Sequence, residues 1–225
     1  MPAQISVVVP TLNAEPALGA CFGALMEGLE LGLIRELIVS DGGSEDATGA
    51  VSQAWGADVL HGPASRGGQL RRGAATARGD WLLFIHADTV LRAGWTEAVR
   101  KHLEEPQSAG WFRLSFDQSG IAASIVASWA NLRSRFGLPY GDQGLLIHRD
   151  LYHAVGGFSD QPLMEDVALA RALKGRLVAL DAVAVTSAAK YRRQGWLRRG
   201  GRNLWTLLRY VTGTPPEQLS QSYNR

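Results

Sequence analysis

The stretch LLFIHADTVL, residues 82–91, decides how the rest of this chain is interpreted. Its first four residues are apolar and typical of a strand that is buried on both faces. The apolar run ends in His86, Ala87 and Asp88, which bring an imidazole and a carboxylate to the carboxyl end of the strand. Such an end can form a metal site, a phosphate site or the cap of a following helix.

Composition is typical of a globular protein. The 225 residues are 46% hydrophobic and 20% charged, which suits one sizeable α/β domain and excludes wholesale disorder. The single cysteine, Cys21, excludes an intramolecular disulfide and is predicted to be a buried packing residue. The sequence has no signal-peptide pattern and no apolar stretch long enough to span a membrane, so we expect a cytoplasmic protein.

Apolar runs alternate with helical patterns along the chain. Strands are predicted at 5–9, 37–40, 57–60, 81–85, 110–116, 145–148, 177–179 and 183–185. Helices are predicted to begin near Pro16 and Ser44, to end at Gly79, and to cover 96–103, 120–136, 164–174 and 204–212, with a glycine- and arginine-rich loop over 61–73. This alternation predicts an α/β fold with a mainly parallel open sheet flanked by helices.

Polar residues follow the predicted strands at the edge where open α/β sheets bind ligands. They are Thr11, Asn13, Glu15, Asp41, His86 and Asp88. Carboxylates there can accept hydrogen bonds from a base or a ribose, and the arginines of residues 65–72 can offset phosphate charge. Asp41 can alternatively bond its own turn. The sequence lacks the glycine motifs of a dinucleotide oxidoreductase and of a P-loop protein.

Five segments in a fixed order carry a family resemblance: SVVVPTLNAE, ELIVSDGGSEDAT, RRGAATARGDWLLFIHADT, GDQGLLIHRD and MEDVALARAL. Over residues 4–185 the chain resembles the family 2 glycosyltransferases of the GT-A fold. Within that family it looks most similar to a small-chain subgroup associated with arsenosugar biosynthesis. The resemblance implies a GT-A type nucleotide-diphospho-sugar transferase domain over residues 1–188, which leaves a basic and aromatic helical appendage over residues 189–225.

The resemblance also implies roles for individual residues. The nucleotide-sugar would contact Pro10, Thr11, Asn13, Glu15, Asp41, Gly68, Arg71 and Ala87. A divalent metal ion, Mn²⁺ or Mg²⁺, would bind Asp88 and His86, and Asp166 would be the catalytic base with Glu165 beside it. The acceptor or sugar side would comprise Gly141, Asp142, Gln143, Arg192, Arg193 and Trp196. His86 stands where the family has the first aspartate of its D-x-D motif, and imidazole suits Mn²⁺ better than Mg²⁺.

The implied reaction is an inverting displacement at the anomeric carbon of a UDP- or GDP-sugar. Asp166 would accept the proton of the acceptor, and the metal ion at Asp88 would stabilise the leaving diphosphate. Each assignment has a structural alternative: Asp88 can cap the next helix, Glu165 and Asp166 can stabilise a helix N-terminus, and His86 can be a hydrogen-bonded strand end. The alternative function is a non-catalytic nucleotide-sugar-binding or membrane-recruiting module with a degenerate metal site. A third, a sugar nucleotidylyltransferase, would have to release pyrophosphate.

The segment 190–210 contains seven cations and no acid, interleaved with Trp and Leu. This pattern predicts an interfacial segment on an anionic membrane surface, and peripheral attachment to the inner face of a membrane. The alternative is a helix packed over the sheet, with arginines that close over the diphosphate. A nucleic-acid partner is disfavoured, because the net charge of +2 leaves the rest of the surface without strong basic character.

Overall fold

The computed structural model describes residues 3–223. Its strands are β1 (Ile5–Thr11), β2 (Ile34–Asp41), β3 (Asp58–His61), β4 (Trp81–Phe84), β5 (Thr89–Leu91), β6 (Ala109–Phe116), β7 (Leu145–His148) and β8 (Leu177–Thr186). Its helices are α1 (Glu15–Glu30), α2 (Thr48–Ala54), α3 (Arg66–Thr76), α4 (Trp95–His102), α5 (Ile121–Arg135), α6 (Arg149–Ala154), α7 (Glu165–Ala172), α8 (Ala189–Gln194), α9 (Trp196–Val211) and α10 (Pro216–Tyr223).

The strands form one open sheet in the order β3-β2-β1-β4-β7-β6-β8-β5. β1 pairs in parallel with β2 and β4, and β3 extends this parallel half. β7 lies antiparallel between β4 and β6, while β6 and β8 are parallel again. The predicted α/β fold with a mainly parallel open sheet is confirmed. Because β1, β2 and β4 run in the same direction, their carboxyl ends meet at one edge of the sheet.

Burial on both faces explains why the central strands are continuous apolar runs. On β1, Val7 and Val9 pack into the core cluster on one face, together with Phe22 of α1. Val8 points to the opposite face and packs with Phe84. This alternation is the geometry of a strand covered by helices on both sides. Cys21 is buried in the first cluster, which confirms its predicted packing role.

The predicted loop over residues 61–73 is wrong from Arg66 onward, where the chain is helical. α3 begins at Arg66, and the Ser65 hydroxyl accepts a hydrogen bond from the Gly68 amide at 3.3 Å as its N-cap. Glycine at position 67 is required by packing, since an added Cβ would lie 1.9 Å from the Ser159 carbonyl oxygen. Gly79 is not a helix-ending glycine either, because α3 ends at Thr76 and a Cβ on Gly79 would lie 2.4 Å from the Gln4 carbonyl oxygen.

Other boundaries also differ from the predictions. Ser44 does not cap a helix: α2 begins at Thr48, and the Ser44 hydroxyl donates to Asp41. The short strand β5 was not predicted, and the strands predicted at 177–179 and 183–185 are one strand, β8. Within residues 3–223, no helix combines the length and apolarity that crossing a membrane requires.

The helices after residue 188 pack against the sheet domain. Tyr191 and Trp196 form a cluster with Phe116 at the end of β6. Leu207 of α9 and Leu219 of α10 are buried together beside the start of α7. α9 begins eight residues before the predicted position 204. The division at residue 188 stays a prediction.

Candidate functional site

A polar cleft with about 780 Å³ of open space lies between the sheet edge and the C-terminal helices. Asp88, just before β5, and Asp166, in the first turn of α7, both line this cleft although 78 residues separate them in sequence. Its other lining side chains include the cations of Arg66, Lys190 and Arg199. The cleft therefore places two carboxylates opposite a group of positive charges.

Asp166 is held in place by two backbone amides. The Gly141 amide donates to its Oδ2 at 2.8 Å, and the Val167 amide donates to its Oδ1 at 2.7 Å. The side chain is half-buried and faces the cleft at the start of α7. A carboxylate fixed in this way keeps further lone pairs with which to accept a proton from a bound hydroxyl group.

Glu165 does not line the polar cleft. Its carboxyl group is fully buried and lines an apolar pocket with about 450 Å³ of open space, which Asp166 also lines. Neither of its oxygens has a hydrogen-bond partner among residues 3–223. Burial, and next the charge of Asp166, raise the pKa of Glu165 to about 7, although Arg66 opposes the shift. Its predicted catalytic role is therefore less direct than that of Asp166.

Glu165→Gln is expected to remove a pH dependence of stability. The pKa rises from its ordinary 4.5 to about 7 in the folded protein, so the folded state retains a proton that the unfolded state has lost. Between these values this group lowers the free energy of unfolding by about 1.4 kcal/mol per pH unit. Thermal unfolding should therefore show the variant to be more stable than the wild type at pH 8 and similar to it at pH 5.

Glu97→Gln, at an exposed first-turn position of α4, should show no such difference. Equal effects of Glu165→Gln at both pH values would contradict the prediction.

The structure excludes a helix-capping role for Asp88. The strand β5 begins at the next residue, and the following helix, α4, has Gly94 as its N-cap. The Asp88 side chain is 35% exposed, and its Oδ2 lies 3.7 Å from the Lys190 ammonium nitrogen. Asp88 is thus a partly accessible carboxylate, placed to meet a cation or a cation-bound ligand.

His86 lines the cleft beside Asp88 and contacts the turn at Gly141. A Cβ added to Gly141 would lie 2.6 Å from both Cε1 and Nε2 of the imidazole, so only glycine leaves room for the ring. Burial, and next the charge of Arg66, lower the pKa of His86 to about 4, although Asp88 opposes the shift. The imidazole is consequently neutral near pH 7, the form that can ligate a metal ion.

The side chains at this site fit a metal ion that takes most of its ligands from water and from the phosphates of a bound substrate. Within residues 3–223, no group of three or more His, Cys, Asp or Glu side chains is arranged to hold a metal ion. Asp88 and His86 together offer two donors among the side chains that line the cleft. Divalent ions at phosphate-transfer sites are commonly held by one or two carboxylates, with water and substrate phosphates as the other ligands.

Asp41 forms hydrogen bonds with the turn that follows it, which is the alternative to a nucleotide contact given by the sequence. It is 2% exposed and accepts hydrogen bonds from the Thr11 hydroxyl, the Ser44 hydroxyl and the backbone amides of Gly43 and Ser44. Burial alone would raise its pKa, but these hydrogen bonds together lower it. The carboxylate is therefore charged and oriented at the end of β2, and its contact with a base or ribose stays a prediction.

Asn13 and Glu15 join the loops that follow β1 and β2. The Asn13 side-chain oxygen accepts from the Glu45 amide at 2.9 Å, and a Glu15 carboxylate oxygen accepts from the Ala47 amide at 3.2 Å. Ala87 is buried and Pro10 is half-buried. These residues are not among those that line the polar cleft or the apolar pocket, and their nucleotide contacts stay predictions.

Gly68 and Arg71 face Asp160 rather than the cleft. The Arg71 guanidinium lies 3.4 Å from the Asp160 carboxylate, and a Cβ on Gly68 would lie 2.6 Å from the same side chain. Arg66, one turn earlier on α3, is the arginine of this segment that reaches the cleft. Arg66 is exposed to solvent. Although partial desolvation opposes the shift, the charges of Glu165 and Asp166 raise the pKa of Arg66 and keep it cationic.

Gly141 and Asp142 line the cleft as the acceptor-side prediction requires, but Gln143 does not. Gln143 is fully buried; its side-chain oxygen accepts from the Ser134 hydroxyl, and its NH₂ group donates to the Phe112 carbonyl. The predicted contact of Gln143 with a sugar or acceptor is therefore wrong. Burial raises the pKa of Asp142 to about 6, with smaller contributions from Arg133, which lowers it, and from Asp166 and Asp88.

The predicted acceptor-side residues of the C-terminal segment are not those that line the cleft. Arg192 and Arg193 are exposed, and Trp196 packs against the aromatic rings of Phe116 and Tyr191. Sequence reasoning missed the residues of this segment that do line the cleft, which are Lys190, Tyr191, Arg199 and Asn203. The spacing of four between the last two, which places them on one face of a helix, was the available signal.

The sequence and the fold both match known glycosyltransferases. The chain is 32% identical over 119 residues to a dolichyl-phosphate beta-glucosyltransferase of Mus musculus, an alignment that covers 46% of this chain and 37% of that protein. It is 34% identical over 95 residues to a glucosyl-3-phosphoglycerate synthase of Mycolicibacterium paratuberculosis, covering 38% of this chain and 29% of that protein. The chain thus spans well under half the length of these curated relatives.

Solved structures share the fold at lower identity. A mannosyltransferase from Pyrobaculum calidifontis in complex with GDP-Man and Mn²⁺ matches with a TM-score of 0.69 and 18% identity, over 98% of this chain and 68% of that one. A glucosyl-3-phosphoglycerate synthase from Mycobacterium tuberculosis with Mn²⁺, UDP-Glc and phosphoglyceric acid matches with a TM-score of 0.64 and 21% identity, over 95% and 81% of the two chains. The sequence pattern of Glycosyl transferase family 2 matches residues 6–142. With that match over more than half of its length, the chain belongs to glycosyl transferase family 2.

Proposed function

We propose that this protein is an inverting glycosyltransferase that moves a sugar from a UDP- or GDP-sugar to a hydroxyl-bearing acceptor. The observation that carries the proposal is the meeting of Asp88 and Asp166 in one polar cleft, with Arg66, Lys190 and Arg199 around them. The family and the metal-bound nucleotide-sugar complexes of the structural neighbours support the same activity.

Asp166 serves as the general base in this proposal. Its two backbone hydrogen bonds hold the carboxylate toward the cleft, where it accepts the proton of the acceptor hydroxyl as the new bond forms. Attack from the side opposite the leaving group inverts the anomeric centre. A second nucleophilic side chain is not required for such a single displacement.

The leaving diphosphate gains negative charge, and positive charges in the cleft would stabilise it. Asp88 and His86 would hold a divalent ion, Mn²⁺ or Mg²⁺, that supplies electrostatic stabilisation of that charge when bound. Lys190 and Arg199 line the same cleft and add fixed positive charge. Stabilising charge as it develops is usually the largest single contribution to catalysis of this kind.

A ligand panel tests the proposal directly. The wild-type protein is mixed with UDP, GDP, UDP-glucose and GDP-mannose, with and without Mn²⁺, and its melting temperature is followed together with release of the nucleoside diphosphate. We expect either UDP or GDP, but not both, to raise the melting temperature in the presence of Mn²⁺. The sugar nucleotide with the same nucleobase should be hydrolysed slowly in the absence of an acceptor. Stabilisation without hydrolysis or transfer of any donor would favour the alternative, a non-catalytic nucleotide-sugar-binding module, for which the replacement of a motif aspartate by His86 is the supporting observation.

Two finer assignments belong to the same proposal. Membership of the arsenosugar-associated subgroup rests on the resemblance of the five segments alone. Peripheral association with the inner face of an anionic membrane through residues 190–210 is supported by the seven cations and the absence of acids in that segment.

A further inference from the structure

A broad apolar surface lies outside the cleft. Of the sixteen large hydrophobic side chains that are exposed within residues 3–223, ten lie on α5, at its C-cap or on the neighbouring helix α9. They are Ile121, Ile125, Trp129, Leu132 and Phe136 of the first helix and its cap, and Leu197, Leu204, Trp205, Leu208 and Val211 of the second. This set is called the α5–α9 surface.

The α5 part of the surface is a continuous stripe. Its five side chains recur at intervals of three and four residues, which places them on one face of the helix. Ala123 and Ala130, on the opposite face, pack into the protein core. Ile121 and Phe136, at the two ends of the stripe, are 83% and 79% exposed. A helix in contact with water alone would carry polar residues on this face, and extended apolar patches mark interaction sites.

The α9 part of the surface lies on the side of that helix away from the cleft. Arg199 and Asn203 line the cleft, whereas Leu197, Leu204 and Leu208 are exposed, the first of them at 90%. A helix with its side chains is about 10–12 Å across. One helix therefore separates the cleft from the apolar surface.

Charge selects among the possible partners of this surface. The chain has no Asp or Glu over residues 118–141 or over residues 182–216, the two stretches that contain α5 and α9. The exposed cations of these stretches include Arg135, Arg192, Arg193 and Arg198, whereas Lys190 and Arg199 line the cleft. A second copy of this chain would bring like charges together across the contact, whereas an anionic lipid surface complements both the cations and the apolar side chains.

We propose that the α5–α9 surface docks the protein onto an anionic lipid bilayer. Trp129 and Trp205 would sit at the level of the headgroups, where their amphipathic rings are favoured, and the arginines would meet lipid phosphates. This goes beyond the predicted interfacial segment 190–210, because α5, which had no assigned role, supplies half of the apolar contact. The proposal does not depend on the transferase assignment, since binding is measured without any substrate.

Vesicle flotation with the full chain tests the proposal. Vesicles of phosphatidylglycerol mixed with phosphatidylcholine are compared with vesicles of phosphatidylcholine alone, at low and high salt. We expect the wild type to float with the anionic vesicles and to be released by salt. Ile125→Gln with Leu132→Gln on α5, and Leu204→Gln with Leu208→Gln on α9, should each weaken binding by about tenfold, because each pair removes apolar contact without changing charge.

The matched control is Leu29→Gln with Leu31→Gln, two leucines of similar exposure at the end of α1. The control should bind like the wild type, and unchanged thermal unfolding should show that all variants are folded. Failure of the wild type to bind anionic vesicles would overturn the proposal. A loss confined to the α9 pair would overturn the joint surface and leave docking to residues 190–210 alone. A dimer in light scattering that the same substitutions dissociate, without vesicle binding, would assign the surface to a second copy and also overturn it.

Discussion

Asp166→Asn is expected to lower the turnover number for sugar transfer by about 10²- to 10⁴-fold, the range that a positioned general base contributes. The amide retains an oxygen that can accept from the Gly141 amide, but its NH₂ group replaces the oxygen that accepts from the Val167 amide. One backbone hydrogen bond is therefore lost, while the size of the side chain and the donor KM should change little. The variant cannot take the proton of the acceptor. Initial rates at saturating donor, with the nucleotide-sugar identified by the ligand panel, measure the effect.

The competing explanation for Asp166 is a purely structural role at a helix N-terminus, where acids are favourable in any case. Asp150→Asn supplies the matched control, because Asp150 is an exposed acid in the first turn of α6, away from the cleft. Asp150→Asn should cost at most about 1 kcal/mol of stability, the value of a typical helix-terminal charge. Asp166→Asn should cost about 1–3 kcal/mol, because the Val167 amide also loses its acceptor. If Asp166→Asn were as active as Asp150→Asn, the assignment of Asp166 as the base would fail.

Asp88→Asn should produce the second large loss, about 10²- to 10³-fold in turnover, which is typical when a group that stabilises developing negative charge is removed. The loss should come with a higher Mn²⁺ concentration for half-maximal activity, because the carboxylate is the stronger of the two protein donors. Asp181→Asn, at a carboxylate that is 94% exposed and paired with Arg113 on the surface, serves as the control.

Exchange of the second donor separates metal ligation from general charge effects. His86→Asp restores the two-carboxylate pattern of the family and should improve the activity supported by Mg²⁺ relative to that supported by Mn²⁺, because Mg²⁺ prefers oxygen ligands. An Asp88→Asn variant that keeps wild-type activity and wild-type Mn²⁺ dependence would exclude Asp88 as the metal ligand.

The parts of the fold that could be predicted from sequence are those where burial leaves a simple pattern. β1 and β4 are covered on both faces, so their apolar runs are unbroken and identify them as central strands. The start of α3 was missed because its first turn holds Gly67 and Gly68, which disfavour a helix. Close packing of Gly67 against the Ser159 carbonyl oxygen requires glycine at that position and overrides the local preference.

Some residues of the candidate site could likewise be predicted from the sequence, and others could not. Asp88 and Asp166 could be named from the order of the family motifs, and the fold brings both to the cleft. Lys190 and Arg199 could not be separated from the neighbouring arginines, because their position depends on how α8 and α9 pack over the sheet domain. Gln143 was misassigned since a sequence does not show which side chains of a tight turn point inward; here its amide is bonded to Ser134 and Phe112 inside the core.

The contact between His86 and Gly141 has an evolutionary consequence. A side chain at position 141 would occupy the space of the imidazole ring, so the two positions are not free to change independently. Among relatives of this chain, histidine at the position of His86 should coincide with glycine at the position of Gly141. An aspartate at the position of His86 is smaller and should permit alanine or serine at the position of Gly141. Covariation of positions 86 and 141 would then mark the lineages in which histidine stands in place of the first motif aspartate.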